Sequence, residues 1–252
     1  MTTWTFGIIG YGHFGAFLAS SLERHGSVLV ADADASKLPL EGDGIRRAPL
    51  AETAAADAVV LAVPFDALED VLAEIRPLVR PETVLMDVVS TKARATGLLE
   101  DSLSWHPNVL ATHPLFGPPS MESIEGQRLV VTFQRGEQAG AFRTFLEQEL
   151  RLETIDVTPD EHDRQMAYMQ ALPFFIARAL VELDIPTLRE KSALSIPSFE
   201  KLATIASIEQ HHSESMFLTS QLSNPYAEEA RERFLDALLR LNESLRGPIP
   251  AP

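Results

Sequence analysis

The chain of 252 residues contains no cysteine. This absence excludes disulfide bonds, a thiolate nucleophile and a cysteine-ligated metal site, and it leaves the redox compartment open. The chain also lacks any apolar run close to the ~20 residues that are needed to cross a bilayer. It does not begin with a basic segment followed by an apolar one, so no secretion signal is predicted. We therefore expect a cytoplasmic protein that does not associate with membranes.

Basic residues are scarce, since 21 Lys and Arg stand against 36 Asp and Glu and give a formal net charge of −15. A surface of this sign repels phosphate backbones, so we do not expect nucleic acid as a partner. A small anionic substrate is compatible with this charge where a few arginines or lysines converge. The hydrophobic content of 45% is ordinary for a globular protein, and the length allows one large or two small domains.

A glycine-rich motif follows the first predicted strand, residues 4–9. It reads Gly10-Tyr11-Gly12-His13-Phe14-Gly15, and a helical pattern begins directly after it. In a G-x-G-x-x-G motif the first glycine makes a tight turn, the second lets the backbone approach a pyrophosphate, and the third lets helix and strand pack closely. The N-terminus of the helix favours the phosphate charge. We predict that all six residues contact a dinucleotide.

An acidic residue, Asp32, ends the second predicted strand, residues 27–31. A carboxylate about 20 positions after the first glycine is placed to accept hydrogen bonds from the adenosine ribose, and it would repel a 2′-phosphate. The motif therefore predicts NAD as the cofactor, with NADP less favoured. Val63 and Pro64 end the next apolar run, residues 58–64, and we expect them to border the cofactor as well.

Strand-like and helical segments alternate through the first part of the chain. Further strands are predicted at residues 83–89, 109–111, 128–133 and 152–157, and helices at 65–75 and 137–150. This alternation predicts an α/β fold, with a doubly wound, mostly parallel sheet of the Rossmann type.

From Thr158 onward the pattern is helical. Helical segments are predicted at residues 161–183, 198–208, 216–222 and 227–245. Pro173 is expected to kink the first of them, because proline removes a backbone hydrogen bond. We predict a dinucleotide-binding domain over residues 1–157 and a smaller all-α domain, for substrate binding and dimerisation, over residues 158–252.

A histidine stands at the end of the predicted strand 109–111. Pro114 cannot donate to a ladder, so His113 is expected at the carboxyl end of this strand. In an open parallel sheet ligands bind at that edge. Histidine can take or hold a proton near neutrality, since its ordinary pKa is about 6.5. His113 is thus a candidate acid or base, although a histidine that only satisfies loop backbone would give the same pattern.

Several motifs together resemble the prephenate/arogenate dehydrogenases of tyrosine biosynthesis. They are the glycine motif with Asp32, Asp87-Val88-Val89-Ser90-Thr91-Lys92, His113-Pro114-Leu115-Phe116-Gly117-Pro118, Glu161-His162-Asp163 with Gln170, and Asn224-Pro225-Tyr226-Ala227. The pair of D-x-x-S-x-K and H-P-x-F-G-P, in this order, is more specific than the glycine motif alone.

The resemblance implies that His113 is catalytic and that Ser90 orients either His113 or the substrate hydroxyl. It also implies oxidative decarboxylation of a cyclohexadienol by NAD, and we expect substrate contacts from Thr112 and Gln170. Hydride would leave the carbon that bears the hydroxyl, and loss of CO₂ would give a phenol. Aromatisation makes the reaction irreversible, so we expect no metal site.

Two positions depart from the family pattern. Phe174 stands where members often carry a histidine, and residues 199–207 contain no arginine for the substrate carboxylate. Arg178, one helical turn beyond Phe174, is our substitute candidate, because its fork of donors suits a carboxylate. A solvated helix arginine is the alternative.

Two other functions stay open. One is a different two-domain oxidoreductase that acts on a hydroxy acid or an imine, and the other is a non-catalytic sensor that binds NAD. We also expect a homodimer, since the last predicted helix is apolar over a wide arc. It carries Phe234, Leu238, Leu241 and Leu245 along one stripe, and Leu235 and Leu239 widen it. One side of this arc would pack on its own domain and the other would be covered by a second copy, with a wholly intrachain core as the alternative.

Overall fold

The computed structural model describes residues 4–37, 44–118, 123–211 and 213–246. The chain divides into two compact units, Met1–His162 and Asp163–Pro252. The sequence predicted a division between residues 157 and 158, and the structure has it inside the helix Pro159–Met166.

The first unit is built on one sheet. Within the described residues its strands are β1 (Trp4–Ile9), β2 (Gly26–Ala31), β3 (Ile45–Arg47), β4 (Ala58–Leu61), β5 (Val84–Asp87), β6 (Val109–Pro114), β7 (Arg128–Arg135) and β8 (Glu153–Asp156). They lie in the order β3-β2-β1-β4-β5-β6-β7-β8. Neighbouring strands are parallel except β6 and β7, which are antiparallel. The doubly wound, mostly parallel sheet predicted from the alternation is confirmed.

Helices cover both faces of this sheet. They are α1 (His13–Leu22), α2 (Leu50–Ala54), α3 (Phe65–Ile75), α4 (Lys92–Ser102) and α5 (Glu137–Gln148). β4 and β5 are buried along their whole length, which is why both are continuous apolar runs in the sequence. One apolar cluster includes Phe6, Leu18 and Phe142, and the cluster on the other face includes Leu61, Leu72 and Leu99.

Three elements of this unit were not predicted. β3 is only three residues long, and two of them are arginines, so it carries no alternating apolar pattern. α2 is a helix of five residues, too short to show a helical period. α4 buries Lys92 and Thr96 together with Ala95 and Leu99, so polar residues hide the apolar stripe.

β6 is longer than predicted, because it runs through His113 to Pro114. The added residues pair with β7, which returns antiparallel, so that His113 lies opposite Val130 and Pro114 opposite Leu129. The register shifts between Ala111 and Thr112, an irregularity that redirects the side chains at the end of the strand.

The second unit is helical. Its elements after the shared helix α6 (Pro159–Met166) are a π-helical segment (Ala167–Ala171), α7 (Leu172–Glu182), α8 (Ile185–Lys191), α9 (Pro197–Ala206), a 3₁₀ segment (Ser207–His211), α10 (Glu214–Leu218), a second π segment (Thr219–Ser223) and α11 (Ala227–Ser244). Pro173 lies in the first turn of α7, directly after the π segment. The predicted kink is thus a change of helical geometry, which accommodates the missing N–H of the proline.

α11 is covered at its start and exposed beyond it. Its first turns are buried at Ala227 and Ala230, and Phe234 is half-buried. Leu238 and Leu241, which belong to the predicted apolar stripe, are 46% and 57% exposed. The contacts of the helix with its own unit come from its N-terminal turns, so the apolar arc beyond Phe234 lacks cover. No helix of the described ranges is both long and apolar enough to cross a membrane.

Candidate active site

The glycine loop between β1 and α1 has the geometry that its motif predicts. Gly10 has a φ of +99°, and a Cβ there would lie 2.4 Å from the carbonyl oxygen of Ala62. A Cβ on Gly15 would lie 2.0 Å from the carbonyl oxygen of Gly10, so the helix and strand approach too closely for any side chain. A Cβ on Gly12 would meet nothing within 4 Å. The loop therefore leaves open space at the glycine that is expected to face a pyrophosphate, and these residues fit a dinucleotide.

Asp32 holds this loop from the end of β2. Its carboxylate accepts hydrogen bonds from the backbone N–H of Tyr11 at 2.7 Å and of Asp34 at 2.8 Å. Nζ of Lys37 lies 3.8 Å from the carboxylate, whose side chain is 11% exposed. The predicted ribose-binding carboxylate is thus also the group that fixes the turn of the glycine motif.

The other predicted cofactor residues border the same loop. His13 is the first residue of α1 and is exposed, and Pro64 precedes α3. Cγ1 of Val63 lies 3.1 Å from the position of a Cβ on Gly10. The ring of Phe14 lies 6.1 Å from that of Phe116, so the chain that follows His113 contacts the glycine loop.

A buried ion pair joins the carboxyl ends of β5 and β6. Nζ of Lys92 donates to Asp87 Oδ1 at 2.9 Å and Oδ2 at 2.6 Å, and to the carbonyl oxygen of Thr112 at 2.7 Å. Both charged side chains have no exposure to solvent. The Asp87 carboxylate also accepts the N–H of Val89 and of Thr112. The pair therefore fixes the backbone directly before His113.

Thr112 belongs to this network. Its side chain is fully buried, and its hydroxyl donates to the carbonyl oxygen of Asp87 at 2.5 Å. The hydroxyl proton of Thr112 is therefore used inside the sheet, and its oxygen keeps acceptor capacity. The predicted contact of Thr112 with substrate stays a prediction.

His113 lies next to a second histidine. Its Nδ1 is 2.8 Å from Nε2 of His162, and both side chains are buried. Burial lowers the pKa of His113 well below 6.5, and His162 and Lys92 lower it further. His113 is therefore neutral at physiological pH. No hydrogen bond from another described residue engages its Nε2.

Ser90 lies at the end of β5, next to the strand that carries His113, since Asp87 and Ala111 are paired across the two strands. Its side chain is half-buried and makes no hydrogen bond to any residue in the described ranges. Both alternatives for Ser90, orienting His113 and contacting the substrate hydroxyl, stay predictions.

Gln170 and Arg178 lie in the second unit. Gln170 is half-buried in the π segment that precedes α7, and Phe174 is buried in α7. The guanidinium of Arg178 donates to Glu209, and to Glu214 at 2.7 Å. These two carboxylates compete with a substrate carboxylate for Arg178, whose Nη1 donates in neither contact, and the predicted contact with substrate stays a prediction.

Comparison with known proteins gives the family. A family model described as prephenate dehydrogenase, nucleotide-binding domain, matches residues 18–144. The chain belongs to this family. The resemblance of its motifs to the prephenate/arogenate dehydrogenases is thus confirmed.

Two curated relatives are similar over part of their length. A probable arogenate/prephenate dehydrogenase of Methanocaldococcus jannaschii is 28% identical over 198 residues, which cover 75% of this chain and 44% of that protein. Arogenate dehydrogenase 1, chloroplastic, of Arabidopsis thaliana is 25% identical over 264 residues, which cover 96% of this chain and 39% of that protein. The chain therefore spans less than half the length of these two relatives.

A solved structure extends the similarity of fold. Prephenate dehydrogenase from A. aeolicus, crystallised with hydroxyphenyl propionate and NAD+, aligns with a TM-score of 0.76 over 97% of this chain and 91% of that chain. The two sequences are 19% identical. The alignment shows the same fold for the Rossmann-type unit and the helical region that follows it.

Two residues of the site were missed as functional residues by sequence reasoning. Lys92 was noted in its motif, but nothing local indicates that a lysine is fully buried. His162 lies 49 positions after His113 and was read only as part of the Glu161-His162-Asp163 motif. The signal that could have identified either residue is its contact with polar side chains at the ends of the strands, which depends on the three-dimensional fold.

Substitution of single glycines tests the fit of the loop to a dinucleotide. Gly12→Ala should leave thermal stability unchanged, because its φ of −73° suits any residue and no atom lies near the new Cβ. It should weaken NAD binding about tenfold, or about 1.4 kcal/mol, because the Cβ fills the space for the pyrophosphate. Titration calorimetry and thermal unfolding measure the two effects.

Gly15→Ala is the matched control. Its Cβ meets the carbonyl oxygen of Gly10, so we expect a loss of about 1–3 kcal/mol in the free energy of unfolding. Unchanged NAD affinity in Gly12→Ala would contradict the assignment of this loop.

Proposed function

We propose that the protein catalyses the NAD-dependent oxidative decarboxylation of prephenate, of arogenate, or of both. The observation that carries the proposal is the state of His113, a neutral imidazole at the carboxyl edge of the sheet with Nδ1 bonded and Nε2 available. The names of the two curated relatives, and the NAD+ and hydroxyphenyl propionate in the A. aeolicus structure, support the same activity.

The residues of the chain supply acid–base chemistry and positioning. Bound NAD would supply the hydride acceptor, and the glycine loop, with its open space at Gly12, would hold the pyrophosphate. Nε2 of His113 accepts a hydrogen bond from the substrate hydroxyl and stabilises the proton as the carbon becomes carbonyl-like. When the ring carboxylate leaves as CO₂, its bonding electrons make the ring aromatic, and the proton returns to the oxygen of the phenol. No net proton is released, so a weak base is sufficient.

Three residues are proposed for recognition of the substrate. Ser90 offers a hydroxyl beside His113, and Gln170 offers an amide that makes no hydrogen bond within the described ranges. Arg178 stays a candidate for a carboxylate, in competition with Glu209 and Glu214. We also propose the cytoplasm as the compartment, since both reactants, the substrate and NAD, are small, water-soluble molecules.

NAD is the preferred cofactor in this proposal. A 2′-phosphate would approach the Asp32 carboxylate, which the loop needs in its charged form as an acceptor for Tyr11. Lys37 is close enough to attract a phosphate, but in this structure its charge faces Asp32.

The proposed active form is a homodimer built on the second unit. Most of the large apolar side chains that are exposed in the chain belong to this unit, and five of them lie on α11 and its last turn. These five are Leu235, Leu238, Leu239, Leu241 and Leu245. A patch of this size is rare on a soluble monomer, and a second copy of α11 would cover it by a two-fold contact.

The function is tested by the formation of NADH from prephenate and from arogenate, measured side by side at matched concentrations. Turnover of either substrate supports the proposal, and the ratio of the two kcat/KM values gives the preference. NAD binding without turnover of either substrate would instead favour the sensor.

His113→Asn should lower kcat about 10²–10⁴-fold and leave NAD affinity unchanged, since the base is lost and the glycine loop is not touched. The pH dependence of kcat/KM is a second measure of the same residue. Because the pKa of His113 is lowered, its neutral form persists as the pH falls below 6.5 and is lost only as the pH approaches the lowered pKa. An acid limb at or above pH 6.5, or near-normal turnover by the variant, would overturn the assignment.

Asp32→Ser should reduce the preference for NAD over NADP about tenfold. The repulsion between two like charges about 4 Å apart is about 1 kcal/mol in bulk water and about 4 kcal/mol near a protein surface. The serine variant removes this repulsion. The ratio of kcat/KM for the two cofactors measures the effect. Asp34→Ser is the control, because Asp34 makes its hydrogen bonds to Ser36 and none to the glycine loop. A wild-type protein that uses NADP better than NAD would show that this loop is wrongly interpreted.

Light scattering should give the mass of a dimer at micromolar concentration. Leu235→Glu combined with Leu239→Glu should convert it to a folded monomer, because two buried charges would face their symmetry mates. Ile155→Glu is the control, since Ile155 is a similarly exposed apolar residue on β8 of the first unit. A monomeric wild type would contradict the proposed dimer, and a dimer that survives the double substitution would contradict the proposed contact through α11.

A further inference from the structure

The contact between the two histidines constrains where their protons lie. Nδ1 of His113 and Nε2 of His162 are 2.8 Å apart, which is the length of a hydrogen bond. Across this contact one ring donates and the other accepts. The two arrangements differ in their consequence for the far nitrogen of His113. If His113 donates from Nδ1, its Nε2 carries a lone pair. If His162 donates, Nε2 of His113 carries the proton.

Only the first arrangement serves the proposed reaction. The substrate hydroxyl is a donor, so Nε2 of His113 has to be an acceptor. We infer that His162 is a positioning residue, which accepts the Nδ1 proton of His113 and thereby keeps Nε2 of His113 unprotonated and directed to the substrate hydroxyl. This inference rests on the proposed function and adds the residue that fixes the tautomer of the base. The nitrogen of a histidine that carries the proton is commonly set by the hydrogen bond of the other nitrogen.

The surroundings explain why a second histidine can occupy this position. The side chains whose charges act on the pKa of His113 are His162 and Lys92, and the Lys92 cation is paired with Asp87. A carboxylate partner, as in serine proteases, stabilises a protonated imidazole. An imidazole that accepts the bond selects the tautomer without adding a negative charge. That suits a reaction in which the proton only moves to His113 and back.

Rotation of the two rings is restricted as well. The ring centroids are 5.0 Å apart with an interplanar angle of 76°, and His113 and His162 are 4% and 2% exposed. His162 therefore contributes an orientation as well as an acceptor. The two roles can be separated by replacing its ring with side chains that keep or remove the acceptor.

The tautomer of His113 can be read from long-range ¹⁵N–¹H spectra of the full-length protein with labelled histidine. Its signal is identified by its loss in His113→Asn. In the wild type we expect a protonated Nδ1 and an unprotonated Nε2. In His162→Leu we expect the Nε2 proton to appear, whereas His162→Gln should retain the wild-type pattern, because its amide oxygen can accept from Nδ1.

Kinetics should follow the tautomer. His162→Leu should lower kcat about 10- to 100-fold, as is usual when the partner that orients an active-site histidine is removed. NAD affinity should not change, and His162→Gln should recover most of the loss. His106→Gln is the control for replacing a buried histidine, since His106 is 1% exposed and its Nε2 lies 2.7 Å from the carbonyl oxygen of Thr83. It should change neither the spectrum of His113 nor kcat.

Two results would overturn the inference. One is a wild-type spectrum with the proton on Nε2 of His113, and the other is an unchanged His113 tautomer in folded His162→Leu. If the leucine variant does not fold, the wild-type spectrum and the glutamine variant still decide. The spectra do not depend on turnover, so an inactive protein with the expected tautomers would refute the proposed function and leave the role of His162 standing.

Discussion

The fully buried ion pair between Asp87 and Lys92 is the interaction on which the candidate active site depends. It ties the end of β5 to the start of α4 and, through the backbone of Thr112, to the end of β6. Charges in the interior are expensive unless each is paired and hydrogen-bonded, and removing one partner of such a pair typically costs about 3–5 kcal/mol. The strand end that carries His113 therefore cannot shift without breaking this network.

The same pair determines the electrostatics next to the base. Lys92 contributes to the lowered pKa of His113, after burial and His162. Asp87 balances the lysine, so the region around His113 has little net charge of its own. A neutral imidazole in such surroundings can accept a hydrogen bond from a hydroxyl without first losing a proton.

Local patterns predicted much of the fold and of the cofactor site. The glycine loop and Asp32 were identified because their function requires particular residues at fixed spacing in a strand–turn–helix context. β3 and α4 were missed because two arginines and a buried lysine hide the apolar period. The partners of Arg178 could not be predicted either, because Glu209 and Glu214 reach it only after several helices have folded back. The pairing of His113 with His162 could not be predicted for the same reason, because it is a contact between segments that are distant in the sequence.

The two units differ in the size of the apolar side chains that they bury, and this difference connects the proposed substrate contacts with the proposed dimer. The first unit buries large side chains such as Phe6, Phe142 and Leu61 on both faces of its sheet. The second unit buries mainly small ones: Ala167, Ala171, Ala177, Ala203, Ala206, Ala227 and Ala230. Alanine lets helices approach closely but removes little apolar area from water, at roughly 25 cal/mol per Å². Phe174, Leu180 and Ile185 are buried as well, but most of the larger apolar residues described in this unit remain on its surface, so association with a second copy would add the burial that its own interior lacks. Because Gln170 and Arg178 are held by these helices, the geometry of the proposed substrate contacts would then depend on the dimer as well as on the chain.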